Sequence, residues 1–328
     1  MAHANISIFV PHLGCPNQCS FCNQHHISGC ADLPDAHSVA AAVKTATASK
    51  NYNSNNTEIA FFGGSFTAID RDYMAELLSA ASVFVRSGDV SGIRISTRPD
   101  AIDDDVLVTL KQYGVTSIEL GAQSMDDTVL SLNRRGHSSD DVVKASALIK
   151  KHGFSLGLQM MTGLYGDSDE KTVQTAQKII ELKPDTVRIY PTIVFKDTPL
   201  GELYKKGEYT PQTLESAVDL AARLLIMFKN AGINVIRTGL HSVDMNTYIA
   251  GPWHPAFKEM CDARIYLGSA LSRLEEKGDY TIFVGRSFVS RMVGQKRQNI
   301  EFLKEKGFNC KVRSDDNLEE YEIKILRM

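Results

Sequence analysis

Between residues 6 and 237 the chain repeats one unit, a short apolar or β-branched run followed by a longer stretch of helical periodicity. The strand-like runs are ISIFV (6–10), EIAFF (58–62), GIRIS (92–96), SIELG (117–121), SLGLQM (155–160), TVRIY (186–190) and INVIR (233–237). Helical patterns fall near 37–50, 71–86, 102–112, 126–133, 140–152, 168–182 and 211–230. Asp70 stands ahead of the second, Gly114 and Gly153 close the third and fifth, and Pro184 follows the sixth. Strands that are apolar nearly throughout belong in a parallel sheet covered by helices. Six or so such units fit a full or partial (β/α) barrel, or a doubly wound sheet.

After about residue 240 the pattern changes. GPWHPAF (251–257) is a Pro- and aromatic-rich connector. A helix over 255–276, a strand YTIFV (280–284), a helix over 294–306 and strands near 308–313 and 320–326 follow. The expected organisation is a barrel domain over 1–240 and a small α+β C-terminal extension over 241–328. With 43% apolar and 23% charged residues the balance is that of an ordinary globular protein. A net charge of −3 gives no global attraction to nucleic acid, so any such binding needs a local patch. No apolar run approaches the ~20 residues that cross a bilayer; LAARLLIMF (220–228) is much too short. The first strand begins at Ile6, leaving no room for a signal peptide, so a cytoplasmic location is expected.

Three of the six cysteines, Cys15, Cys19 and Cys22, crowd into LGCPNQCSFC (13–22), with Gly14 and Pro16 shaping the backbone. Clustered thiols without a secretion signal point to metal or redox chemistry rather than to a disulfide framework. C-x-x-x-C-x-x-C offers three soft ligands. They suit a four-iron four-sulfur (4Fe–4S) cluster with one iron left open. They also suit three-quarters of a zinc site completed by His25 or His26, and a third reading is thiols that are reactive or merely buried. No second C-x-x-C knuckle is present, which favours the cluster over zinc. The cysteine loop follows the first strand, FFGGSFT (61–67) spans the exit of the second, and STRPD follows the third. GAQS, MMTGLYG and YPTIVFKDT follow the next three, and barrels place chemistry on such loops, so one shared site is expected.

The cysteine loop, with Phe21 before its third cysteine, resembles the signature of the radical S-adenosylmethionine (SAM) enzymes. That resemblance implies that Cys15, Cys19 and Cys22 hold a 4Fe–4S cluster whose open iron binds SAM. Reductive cleavage would then yield a 5′-deoxyadenosyl radical that abstracts hydrogen from substrate. FFGGSFT resembles the superfamily's second motif, which implies that Gly63, Gly64 and Ser65 lie against the cofactor's methionine end. IELGAQSMDDTVLSLNRRGH (118–137) resembles a stretch of the Elongator catalytic subunit and of oxygen-independent coproporphyrinogen oxidase. By position, Gln123 and Arg135 would contact SAM; the alternative for Arg135 is a surface cation at a helix end. ISTRPD (95–100) and VRIYPTIVFKDTPLGELYKKGEYTP (187–211) resemble the radical domain of the Elongator catalytic subunit, a tRNA wobble-uridine modifier. The resemblance covers roughly residues 5–240. It makes the fold a partial (β/α)6-type TIM-like barrel, tRNA the leading substrate class, and a flavodoxin or ferredoxin the electron donor.

Two departures stand out. Ser96 replaces a glutamate that helps bind the cofactor's amine in those relatives, and a hydroxyl brings no charge. Gln159 occupies a position where relatives place another polar cofactor contact. Barely 90 residues follow the barrel, without a recognisable acetyl-CoA loop, so transfer of an acetyl-derived group is not expected. The tail resembles the small C-terminal domain of uncharacterised bacterial radical proteins related to Elongator. Alternatives from other classes are a radical enzyme for a small molecule or peptide, and a non-enzymatic zinc-binding protein.

In the tail, eight Lys or Arg (286, 291, 296, 297, 304, 306, 311, 313) face only Glu301 and Glu305, with Phe288, Phe302 and Phe308 interleaved. The stretch reads as a phosphate-tracking surface or, more plainly, as a solvated face whose phenylalanines fill core. Lys205 and Lys206 add a basic spot near the expected barrel mouth. Tyr190 could face the radical site, and Trp253 and His254 could line a pocket, though core packing serves equally well. Cys30, Cys261 and Cys310 read as small hydrophobes, Cys30 being the one near the cluster loop.

Overall fold

The computed structural model describes residues 4–10, 15, 19–22, 33–240 and 242–328. Gly14, Pro16, His25, His26 and Cys30 lie outside the described residues. Seven strands form one parallel sheet in chain order: β1 (Ala4–Val10), β2 (Thr57–Gly63), β3 (Gly92–Thr97), β4 (Val115–Gln123), β5 (Ser155–Thr162), β6 (Thr186–Pro191) and, after the two-residue β7 (Val194–Phe195), β8 (Asn234–Thr238). A doubly wound sheet would reverse its strand order at a switch point. Here each strand lies beside its predecessor, so right-handed crossovers place every helix on one face. The sheet curls into a partial TIM-like barrel, one strand larger than the (β/α)6 expectation.

The helices are α1 (Ala36–Thr47), α2 (Arg71–Ser87), α3 (Asp104–Gln112), α4 (Asp127–Leu132), α5 (Ser139–Lys151), α6 (Asp169–Glu181), α7 (Pro199–Lys205) and α8 (Leu214–Asn230). Each starts at a side-chain cap that satisfies an orphan amide. The caps are Asp35, Asp70, Asp103, Asp126, Ser138, Ser168, Thr198 and Thr213, with full capping boxes at Asp35 and Ser138. The third helix begins at Asp104 rather than 102 because Pro99 sits in a preceding 3-10 turn.

Strand periodicity divides the sheet's two faces. Ile6, Ile8, Ile59, Phe61, Ile93, Ile95, Ile118, Leu120, Leu156, Leu158, Val187 and Ile189 point outward into one core with the helices. Residues of the other parity line the barrel interior, and among them is a polar set, Glu58, Arg94, Ser117, Glu119, Gln159 and Arg188.

The tail comprises β9 (Tyr248–Ala250), which pairs with β7, then α9 (Phe257–Leu271), β10 (Gly278–Val284), α10 (Val289–Val293), α11 (Gln298–Glu305), β11 (Phe308–Ser314) and β12 (Lys324–Arg327). β10 is central, parallel to β11 and antiparallel to β12. Phe257 and Cys261 of α9 belong to the barrel core, whereas Tyr266 and Ala270 belong to a second core with Tyr280, Ile282, Val284, Met292 and Leu303. The helix expected over 294–306 starts only at Gln298, because Lys296 and Arg297 are left-handed (φ 47° and 66°). The helix expected to reach 276 ends at Leu271, and the last strand starts at Lys324 because Tyr321 is also left-handed (φ 64°). Burial pushes the Cys261 thiol up to about 12 and the Cys310 thiol to about 11, as inert small residues require. Among the described residues no helix is long and apolar enough to cross a membrane.

Candidate active site

The first five strands deliver their C-terminal residues to one end of the barrel. At the β2 exit Gly63 adopts φ 119°, and a Cβ there would sit 2.4 Å from the Val10 carbonyl oxygen, so only glycine fits. Gly64 N–H donates to that oxygen at 3.0 Å. The Ser65 hydroxyl accepts from Arg98 N–H (3.2 Å) and pairs with Thr97 Oγ1 at 2.9 Å, while the Ser65 amide faces the Cys15 thiol. The hydroxyl therefore braces the β3 exit and leaves the amide to the cysteine loop.

The β4 exit supplies the most constrained geometry. Gln123 is left-handed (φ 64°), a conformation that costs a non-glycine residue and marks functional sites, and its Oε1 is buried without a partner. Arg135, 7% exposed, is no surface cation. Its Nη2 donates to the Gly121 carbonyl at 2.7 Å and its Nη1 lies 3.0 Å from Cys19 Sγ. Gly121 leaves room for this: a Cβ would crowd Gln123 Nε2 at 3.0 Å and Arg135 Nη2 at 3.3 Å. His137 Nε2 donates to Ala122 O (3.3 Å); burial, then the Arg135 charge, lowers its pKa to about 4, so it is neutral at pH 7.

The second half of the cysteine loop is tied to the barrel. Ser20 N–H donates to Asn133 O (3.1 Å), its hydroxyl to Asn133 Oδ1 (2.6 Å), and its carbonyl accepts from Leu200 N–H (2.8 Å). Phe21 packs in a satellite cluster with Val194, Leu200 and Tyr209, so its ring anchors the loop. Cys22 N–H donates to Cys19 O at 3.2 Å. Desolvation and then Cys19 raise the Cys15 thiol, while Arg98 and Arg135 oppose them. Among the described residues no three His, Cys, Asp or Glu side chains converge on a metal-sized site; the thiols share the loop without being gathered.

Below this mouth runs a buried charge ladder absent from the sequence reading. Arg94 joins Glu58 (2.8 Å) to Glu119 (3.0 Å), and Arg188 meets Glu119 at 2.8 Å and stacks over Phe62 at 5.3 Å. Gln159 donates to Glu119 Oε2 at 3.1 Å, turning toward the ladder, and Tyr190 Oη lies 3.5 Å from Arg188 Nη1. Arg98, held by Asp100 through two contacts (2.9 and 2.7 Å), also escaped notice. The available signal was one ionisable residue inside each apolar run, of alternating sign: EIAFF, GIRIS, SIELG and TVRIY. Trp253 and His254 lie in the connector, where His254 Nδ1 accepts from Ala256 N–H. Lys205 pairs with Glu202 at 2.8 Å.

Ser96 Oγ, Gln123 Oε1, Arg135 Nε and His137 Nδ1 are buried without hydrogen-bond partners. Such orphans are uncommon, and of the eleven among the described residues these four and Arg98 Nη1 gather on β3, β4 and the turns after them and after α4. The chemistry of the donor set, three soft thiols on one loop facing two guanidinium groups and these orphaned polar atoms, suits an anionic cluster and a polar nucleotide, although the thiols are not drawn together.

The model of the radical SAM superfamily matches residues 9–179, and that of the radical SAM C-terminal domain matches 184–267. The chain belongs to the radical SAM superfamily and is a radical SAM enzyme; the cofactors of that class are a 4Fe–4S cluster and SAM. Within it the sequence is Elongator-like. It is 30% identical to the tRNA uridine(34) acetyltransferase of Methanocaldococcus jannaschii over 51% of this chain and 34% of that protein. It is 29% identical to Elongator complex protein 3 of Saccharomyces cerevisiae over 53% and 35%. The chain thus spans about a third of the length of these relatives. The archaeal Elp3 of Methanocaldococcus infernus shares the fold, with TM-score 0.68 at 20% identity over 88% of this chain and 68% of that one.

Proposed function

We propose that Cys15, Cys19 and Cys22 hold the 4Fe–4S cluster, that the mouth of the barrel holds SAM, and that the substrate is a tRNA. When bound, the cluster and SAM supply a 5′-deoxyadenosyl radical for hydrogen abstraction, chemistry no side chain offers. Arg135 carries the proposal, because one buried guanidinium spans the Gly121 carbonyl at the β4 exit and the Cys19 sulfur. It sets positive charge against the thiolates and keeps the cysteine loop over the strand ends. Gln123 presents an unpaired carbonyl oxygen for a ligand N–H or O–H, and Ser96 an unpaired hydroxyl. Gly63 allows the close turn onto the Val10 carbonyl, and with Gly64 and the Ser65 amide it sets backbone beside the cysteine loop for the cofactor's methionine end. Gln159 contributes by holding Glu119, and Phe21 by fixing the loop.

The test is anaerobic reconstitution followed by reduction with dithionite or with a flavodoxin or ferredoxin. The expected result is a brown protein with about four iron per chain that forms 5′-deoxyadenosine. Replacing the three cysteines by alanine abolishes both. Cleavage that persists in that variant, or zinc without sulfide in the native protein, refutes the assignment. The tRNA reading draws on the named activity of the relatives. It is checked by binding of a tRNA transcript with a steep dependence on salt.

A further inference from the structure

The small sheet of the tail packs one face into a core and turns the other outward, with Thr281 shielded at its centre and charged side chains exposed around it. Tyr280, Ile282 and Val284 of β10 point into the second core, joined by Cys310 and Val312 of β11 and Ile325 of β12. A period of two therefore places Thr281 and Phe283, Lys311 and Arg313, and Lys324 and Leu326 on the opposite face. Register sets Phe283 between Arg313 on one side and Lys324 on the other, and Thr281 between Lys311 and Leu326. Neighbouring strands are about 4.8 Å apart, so a half-exposed ring stands with a cation on each flank. Phe283 belongs to none of the three hydrophobic clusters. Lys311, Arg313 and Lys324 are exposed, and none is ion-paired among the described residues. The single acid on these strands, Asp279, lies at the other end of β10 and accepts from Asn309 Nδ2 at 2.9 Å.

The arrangement differs from the basic patch expected from sequence. Arg291 is committed to Asp262 (3.3 Å) and Glu320 (3.0 Å), and Arg286 to Asp316 (3.0 Å). Phe288 and Phe308 pack against the second core. Lys306, just after α11, lies 5.5 Å from the exposed Phe302 ring, one cation beside its ring, whereas on the sheet face Phe283 has an unpaired cation on each flank.

We propose that this face binds a single-stranded segment of RNA, one base stacking on Phe283 while Lys311, Arg313 and Lys324 take the phosphates; the proposal rests on the tRNA reading. Excess positive charge on an otherwise acid-poor sheet favours a polyanion. An exposed ring on a flat sheet favours unpaired bases, because a duplex offers no free base face.

The experiment measures binding of the full chain to three fluorescent probes: a tRNA transcript, an unstructured 12-nucleotide RNA and a blunt 12-base-pair RNA duplex. The native protein should bind the first two and prefer the single strand to the duplex. Phe283→Ala should weaken single-strand binding roughly tenfold or more, and Phe283→Tyr should restore it. Combining Lys311→Gln, Arg313→Gln and Lys324→Gln should lower the log–log salt slope by about 2. SAM cleavage without RNA should be unchanged in each variant. If native protein binds tRNA and the triple variant keeps its affinity and slope, the sheet face is wrong and the tRNA reading stands. Absence of tRNA binding by the native protein removes both, and equal affinity for strand and duplex removes the stacking role.

Discussion

Arg135 shows how one side chain joins two segments far apart in sequence. Its fork reaches Gly121 O and Cys19 Sγ at once, a geometry that a lysine's single ammonium group does not reproduce. Arg135→Lys should therefore bind SAM about tenfold more weakly or worse after reconstitution, the scale expected for a buried charged hydrogen bond of ~1.5–3 kcal/mol. Iron content and calorimetric SAM titration are the readouts; full affinity in the variant would return Arg135 to a charge-only role. The resemblance singled out Gln123 and Arg135, and the structure buries both at the β4 exit. Ser65 was legible only in part, since its hydroxyl is spent on Thr97 and Arg98 and its amide does the facing. Arg98 went unread because nothing local distinguishes it from a surface arginine; its burial arises only when β3 ends beside the cysteine loop.

Among elements, the outward faces of the strands were readable from their apolar runs, while the inward faces were not. Glu58, Arg94, Glu119 and Arg188 each look like an isolated charge until neighbouring strands bring opposite signs together. Desolvation alone would raise the Glu58 carboxyl, but Arg94 and hydrogen bonds from Thr116 and Ser117 outweigh it and hold the pKa below 4.5. A depressed carboxylate stabilises the fold above its unfolded pKa, and that contribution is lost as pH falls through the folded value. Glu58→Gln should thus lower stability at neutral pH by about 1–3 kcal/mol and flatten the pH dependence below 4.5. Urea unfolding at several pH values checks this; a parallel offset at all pH values would mean that Glu58 acts by shape rather than charge. The β7–β9 ribbon and α7 were missed for a simpler reason, since two- and three-residue pairings and a seven-residue helix carry too little periodicity to register.

At the scale of the whole molecule, α9 is shared property. Its first turns complete the barrel core and its last turns complete the tail core, so neither is finished without it. Midway along, the fully buried Asp262 is contacted by Lys258, by Arg291 at 3.3 Å and by Tyr321 Oη at 2.5 Å. Lys229 of α8 reaches the Glu320 carbonyl and lies 5.1 Å from the Tyr321 ring, which binds the tail back onto the barrel. Asp262 therefore ties α9 to the tail segments that carry Arg291 and Tyr321, while Lys229 joins Tyr321 to the barrel. Removing one partner of a buried ionic cluster typically costs about 3–5 kcal/mol, because the remaining charges lose their compensation. Asp262→Ala should consequently destabilise the tail more than the barrel and divide one cooperative transition into two. Trp253, the single tryptophan, lies in the connector ahead of α9, so its fluorescence reports locally while far-ultraviolet circular dichroism follows the barrel helices. The two probes should coincide for the native chain and separate for the variant in urea. If they stay superimposed while the midpoint falls, packing along α9 suffices to couple the cores and the ionic cluster adds only stability.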